Sequence, residues 1–145
     1  MRILSISNTP HDPDQGSGYV ITGYVEGLRK RGHQVDAYGP DDWLLADVTR
    51  GKRYLYPLMV AAFGLIRCHP CRYDLIELWG GHTWLLAVFF RWLAPGVPLV
   101  HHSNGIEQHC AQVQRDAVVG PIQNQRWFQW DVSPLYDWGL RAADA

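Results

Sequence analysis

Short apolar runs alternate with helix-forming segments along this chain, and the alternation limits the folds that it can adopt. Runs typical of buried strands cover 2–7, 34–38, 75–79 and 98–101. Strands separated by about 20–40 residues that contain a helix form right-handed βαβ units. The pattern therefore predicts a doubly wound α/β domain, a parallel sheet with helices on both faces.

The first half of the chain carries the clearest helix signals. A helix is predicted over 18–31, where Gly32 supplies the C-terminal stop. Gly23 and Gly27 inside it are expected to allow close packing on the sheet. A short strand is predicted at 53–56, and Pro57 is expected to begin a helix that continues through 58–67.

Two more helices are predicted further along. Thr83 can cap a helix over 84–94, which is apolar nearly all round and is therefore expected to be buried. The last helix is expected over roughly 123–143, broken or kinked at Pro134.

Composition excludes several classes of protein. The chain has 145 residues, 47% of them hydrophobic, which is enough for the core of one domain. Its net charge of -1 argues against a nucleic-acid-binding protein. No apolar run is long enough for a transmembrane helix. The three cysteines cannot all pair with one another, which favours a reducing cytoplasm.

In a doubly wound sheet, ligands bind beyond the carboxyl ends of the strands. Three loops occupy that edge: 8–18, 80–83 and 102–107. Their candidate residues are Asn8, Gly16, Ser17, Gly18, Gly80, Gly81, His82, His102, Ser103, Asn104 and Glu107. Gly80 and Gly81 would allow close approach of a ligand or of the first loop, or form a plain strand-to-helix turn.

Gly16-Ser17-Gly18 stands at the start of the first helix, where backbone N–H groups can bind a phosphate. A plain turn explains the same residues. A dinucleotide site is a weaker alternative, because position 21 is Ile21 and Asp36 lies within a strand. No metal site is expected, because Cys68-x-x-Cys71 lacks a second ligand pair. Aromatic residues at 127, 128, 130 and 138 could stack on a sugar but are more typical of a core.

Several stretches together resemble family 4 glycosyltransferases, and they span nearly the whole chain. They are 2–10, 15–40, 73–86, 96–109 and 135–145, and the most specific piece is GLRKRGHQV at 27–35. The resemblance implies the N-terminal, acceptor-side half of a GT-B enzyme, with its glycine loop near the donor phosphates. It also implies that the domain is incomplete at residue 145 and that a C-terminal donor-binding domain is required, in cis or in trans.

The function implied by the resemblance is transfer of a sugar from a nucleotide-sugar to a hydroxyl of a sugar, lipid-linked or small-molecule acceptor. The hexosyltransferase would retain anomeric configuration, use no cofactor or metal and lie in the cytoplasm or at the inner membrane face. The chain alone is expected to be inactive. Asn104 stands where relatives often have a histidine, and His102 lies two residues earlier; both are catalytic candidates. The alternative is a non-catalytic module that binds a sugar or a partner.

Overall fold

The structure, a computed structural model, describes residues 1–14, 16–43, 52–102 and 133–144. Four strands within these residues form one parallel sheet in the order β2-β1-β3-β4. The strands are β1 (Arg2–Ser7), β2 (Gln34–Tyr38), β3 (Leu75–Trp79) and β4 (Leu99–His102). The predicted bounds of the first three strands are confirmed, and the fourth begins one residue later than expected.

Helices cover both faces of the sheet. They are α1 (Gly16–Lys30), α2 (Lys52–Arg67), α3 (Trp84–Leu93) and α4 (Ser133–Ala142). On one face, Ile21 and Val25 of α1 pack with Ile3 and Val35. On the other, a larger core joins α2 and α3 to the sheet. The predicted Rossmann-like α/β fold is confirmed to this extent, whereas membership of the GT-B class stays a prediction.

The strand predicted at 53–56 is wrong, because α2 already begins at Lys52 and contains Pro57. Tyr56, Val60 and Ala61 are all buried, so the apolar helical spacing runs straight through the proline. Pro57 is the sixth residue of α2, beyond the first turn, so the helix continues at the cost of one backbone hydrogen bond.

Two expectations about packing are also wrong. A Cβ built at Gly23 or Gly27 would have no neighbour within 4 Å, so neither glycine provides a close approach to the sheet. The α3 helix is not buried all round, since Trp92 is 80% exposed while Phe90 on the opposite side is fully buried.

The sequence signals for where helices start and stop agree in part with the structure. Gly32 adopts φ +85° after α1, as a glycine stop requires. Pro134 lies at the second residue of α4, where proline is tolerated; the predicted helical residues 123–132 lie outside the described part of the chain. In the portion that the structure describes, no helix combines the length and apolar character needed to cross a membrane.

Candidate functional site

The strand order reverses between β1 and β3. The chain adds β2 on one side of β1 and then returns to place β3 and β4 on the other. In open α/β sheets a crevice forms above this switch point, at the carboxyl ends of the strands. The residues that follow β1 and β3 therefore stand where a ligand would bind.

Asn8 joins these two loops. Its backbone N–H donates to the Trp79 carbonyl at 3.1 Å, which extends the β1–β3 ladder by one residue. Its side-chain Nδ2 lies 3.0 Å from Nδ1 of His82. Asn8 also packs directly on Gly80, which has φ +85° and no room for a Cβ. The sequence allows two roles for Gly80, close approach of a ligand or loop, or a plain turn. The structure supports close approach of the first loop.

Two aromatic residues extend this network, and sequence reasoning missed both. The Tyr56 hydroxyl donates to the Asn8 carbonyl at 3.3 Å and accepts from Nε1 of Trp43 at 3.2 Å. The rings of Tyr56 and His82 meet edge to face, with centroids 5.4 Å apart. Burial raises the pKa of Tyr56, which keeps the hydroxyl neutral. The sequence assigns Tyr56 to a strand at 53–56, so it does not place this residue on the apolar face of α2.

The glycine loop at the start of α1 divides into two parts. Gly16 is exposed at φ +31°, and a Cβ there would meet nothing within 4 Å. Gly18 is buried, and a Cβ there would lie 2.6 Å from the Pro10 carbonyl oxygen. Gly18 therefore packs against its own loop, and only Gly16 and Ser17 remain open to an approaching anion.

The two histidines of β4 face opposite sides of the sheet, as the alternation of a strand predicts. His101 is buried, with Nε2 lying 3.0 Å from Thr83 Oγ1 and 3.2 Å from the Gly80 carbonyl. Burial lowers the pKa of His101, so the ring is held neutral. Thr83 donates its hydroxyl to Gly80 and makes no side-chain cap of α3. His101 therefore supports the turn, and His102 faces α1.

His102 belongs to a second group of polar residues, beneath α1. Its ring stacks on Trp79, with centroids 3.7 Å apart and planes 8° from parallel. Nε2 lies 3.7 Å from Oε1 of Glu77, which also accepts a 2.6 Å hydrogen bond from the Tyr24 hydroxyl. Burial, and then the Glu77 hydrogen bond, raise the pKa of Tyr24 to about 12. Glu77 and Tyr24 were not predicted as site residues, although a glutamate in an apolar strand is a usable signal.

The cysteines form no metal site in the described residues, where no group of three potential ligands occurs. Cys68 is buried and Cys71 exposed, although they are close in sequence. Burial raises the pKa of the Cys68 thiol to about 11, which keeps it protonated and inert.

Several candidates lie outside the described residues: Ser103, Asn104, Glu107, and the aromatic residues at 127, 128 and 130. Of the aromatic cluster the structure describes Trp138, which is 55% exposed and stacks on Trp84 with centroids 6.1 Å apart.

Asp36, which a dinucleotide site would need at the end of β2, is in the middle of that strand. It accepts a hydrogen bond from the Arg2 guanidinium at 3.0 Å and another from the Tyr73 hydroxyl at 3.0 Å. Both partners lie at the amino ends of the strands, opposite the ligand edge. The carboxylate is therefore occupied in the fold, which weakens the dinucleotide alternative.

Comparison with known proteins identifies no relative. The chain matches no protein-family model, no curated protein and no solved structure. The likeness to family 4 glycosyltransferases therefore stays a prediction from the sequence, and the fold and site geometry are what can support it.

Proposed function

We propose that this chain is the acceptor-side domain of a nucleotide-sugar-dependent glycosyltransferase, of the hexosyltransferase type. The observation that supports the proposal best is the contact of Asn8 with Gly80 and His82 at the switch point of the sheet. Those three residues were expected at a ligand edge from the sequence, and they come together there.

The chemistry of this edge suits a ligand rich in hydroxyl groups. The half-buried side chains of Asn8 and His82 can donate or accept hydrogen bonds, and the buried Tyr56 hydroxyl supports them through its bond to the Asn8 carbonyl. Aromatic rings line the same place, and small-molecule sites commonly combine such rings with a few polar groups. An acceptor sugar or a similar polyol would use both features.

The open N-terminal turn of α1 supports a role beside an anion. Gly16 and Ser17 begin the helix at the same edge of the sheet, and the first N–H groups of a helix have no partners within it. In the proposed enzyme they face the diphosphate of the donor, which a second domain holds. The proposal includes retention of configuration, no metal and a cytoplasmic location, and it does not include a membrane-bound form.

A two-part experiment tests this function. The proposal requires that the gene encode a second Rossmann-like domain with a Glu-x7-Glu pattern, after residue 145 or in a neighbouring reading frame. The chain and that domain, mixed, are then assayed for transfer from UDP-glucose, UDP-N-acetylglucosamine and GDP-mannose to a panel of sugar acceptors. Transfer by the mixture and none by either part is expected.

A pair of variants makes the assay specific to the site. Asn8→Ala removes the link between the two loops and should reduce transfer at least tenfold, whereas Arg31→Ala, on an exposed residue beyond α1, should leave it unchanged. Absence of any donor domain in the gene, together with sugar binding by the chain alone, would instead establish the alternative, a non-catalytic binding module.

A further inference from the structure

Glu77 is a carboxylate in the interior of the sheet, where a charged side chain is costly. It is 1% exposed and occupies the third position of β3, paired with Ser5 on β1 and Val100 on β4. Its Oε1 accepts the Tyr24 hydrogen bond, and Oε2 has no partner among the described residues. One neutral donor compensates little of the cost of burying a carboxylate, so a second polar partner is needed.

His102 is the residue placed to be that partner. Nε2 of its ring lies 3.7 Å from Glu77 Oε1, within ion-pair range but longer than a hydrogen bond. Nε2 is buried and, in the part of the chain that the structure describes, has no hydrogen-bond partner. Because the His102 side chain is 26% exposed overall, its exposed surface belongs to atoms other than Nε2. The imidazole therefore stands between a buried carboxylate and the ligand edge.

The orientation of this ring is restricted by its neighbours. Trp79 stacks on it with nearly parallel planes, and the Trp79 indole is itself held by a 3.1 Å hydrogen bond from Nε1 to Ser5 Oγ. The Tyr24 ring approaches edge-on, 6.0 Å away between centroids. A half-turn of the imidazole about its Cβ–Cγ bond would keep this stacking but would place a carbon, Cε1, against the carboxylate. The orientation with Nε2 toward Glu77 Oε1, 3.7 Å away, is therefore the one that gives the carboxylate a polar partner.

We propose that Glu77 is a positioning residue for His102, because its carboxylate keeps the proton of the neutral imidazole on Nε2 and leaves Nδ1 as a hydrogen-bond acceptor for a ligand. The bond made by one ring nitrogen decides which form the other takes. Contacts of this kind are often long in unliganded proteins and shorten when the substrate binds. That the ligand group is a hydroxyl rests on the proposed function; the position of the proton does not.

Nitrogen NMR of the intact chain tests this directly. Long-range proton–nitrogen spectra of histidine-labelled protein show which ring nitrogen is protonated, and His102→Gln identifies the His102 signals among the seven histidines. The spectra are recorded at about pH 8, above the usual titration range of histidine. We expect His102 in the Nε2–H form. Glu77→Leu removes the oxygen that faces Nε2 and should shift His102 toward the Nδ1–H form.

A matched variant separates the carboxylate from its surroundings. Tyr24→Phe removes the hydroxyl bonded to Glu77 but leaves the carboxylate, so His102 should remain in the Nε2–H form. Two results would overturn the inference: a wild-type His102 protonated on Nδ1, or the same mixture of forms in wild type and folded Glu77→Leu. If Glu77→Leu does not fold, the wild-type and Tyr24→Phe spectra still decide. No sugar or second domain is needed, so failure of the proposed function would leave this result unaffected.

Discussion

At the scale of single residues, the ligand edge depends on one glycine in a backbone conformation that other residues rarely adopt. Gly80 adopts φ +85°, and the Asn8 side chain occupies the space where a Cβ would stand. The Gly80 N–H donates to the His102 carbonyl at 2.8 Å, and its own carbonyl accepts from Thr83. One residue thus holds the ends of three strands in a common arrangement.

Gly80→Ala should therefore destabilise the fold more than the addition of one methyl group usually does. A left-handed backbone alone costs an alanine about 1–3 kcal/mol, and displacement of Asn8 adds to that cost. The free energy of unfolding, measured with urea, should fall by at least about 1 kcal/mol. The control is Gly96→Ala, since Gly96 has open space around it and no positive φ. Equal midpoints for both variants would mean that position 80 accepts a side chain and does not require glycine.

Sequence reasoning found the residues of this edge but not their contacts. Gly80 and Gly81 stand directly before His82 in the sequence, and the rule for strand ends brings Asn8 to the same place. The sequence does not show that Asn8 rather than a ligand packs on Gly80. That contact depends on the positive φ of Gly80 and on how closely the first loop approaches it, and no local sequence pattern encodes either. Glu77 was not predicted because its apolar neighbours indicate a strand but do not show which residue pairs with its buried carboxylate.

At the scale of elements, the helices differ in what their glycines do. Gly23 and Gly27 in α1 have no close neighbours, whereas a Cβ at Gly139 of α4 would lie 2.6 Å from the Trp84 Cα. The sequence presents all three as glycines inside helices. Only the crossing of α4 over the start of α3 makes Gly139 necessary, and such crossings depend on tertiary packing.

Alanine substitution should consequently have opposite effects in the two helices. Gly23→Ala and Gly27→Ala should each raise the free energy of unfolding by about 0.5–1 kcal/mol, because alanine loses less backbone entropy on folding. Gly139→Ala should lower it by about 1–3 kcal/mol through overpacking against Trp84. Urea unfolding followed by circular dichroism measures all three. Destabilisation by the α1 variants would show that the glycines serve a contact after all.

At the scale of the whole molecule, acid should weaken the fold. Burial lowers the pKa values of His101 and His11, so the unfolded chain binds protons more readily than the folded one. Stability that is present above the unfolded histidine pKa, near 6.5, is therefore lost as the pH falls through that value and below it.

The measurement is a series of urea midpoints between about pH 8 and pH 5, around the ordinary histidine range. Stability should decrease toward low pH, and His101→Gln should make the dependence shallower even if it lowers stability at every pH. His11→Gln should reduce the remaining dependence of the urea midpoint on pH. If a histidine variant keeps the full wild-type dependence of the urea midpoint on pH, that histidine does not contribute to the loss of stability in acid.

Asp144, which follows α4, lies beside β4 on the side away from β3. The Asp144 N–H donates to the Leu99 carbonyl at 2.7 Å, and the Asp144 carboxylate accepts from the Leu99 N–H at 3.0 Å while pairing with Arg91. Asp144 thus pairs with β4 as a neighbouring strand would, although it follows a helix, and it occupies both backbone groups of Leu99. A single acidic residue therefore ties the end of α4 to the sheet and, through Arg91, to α3.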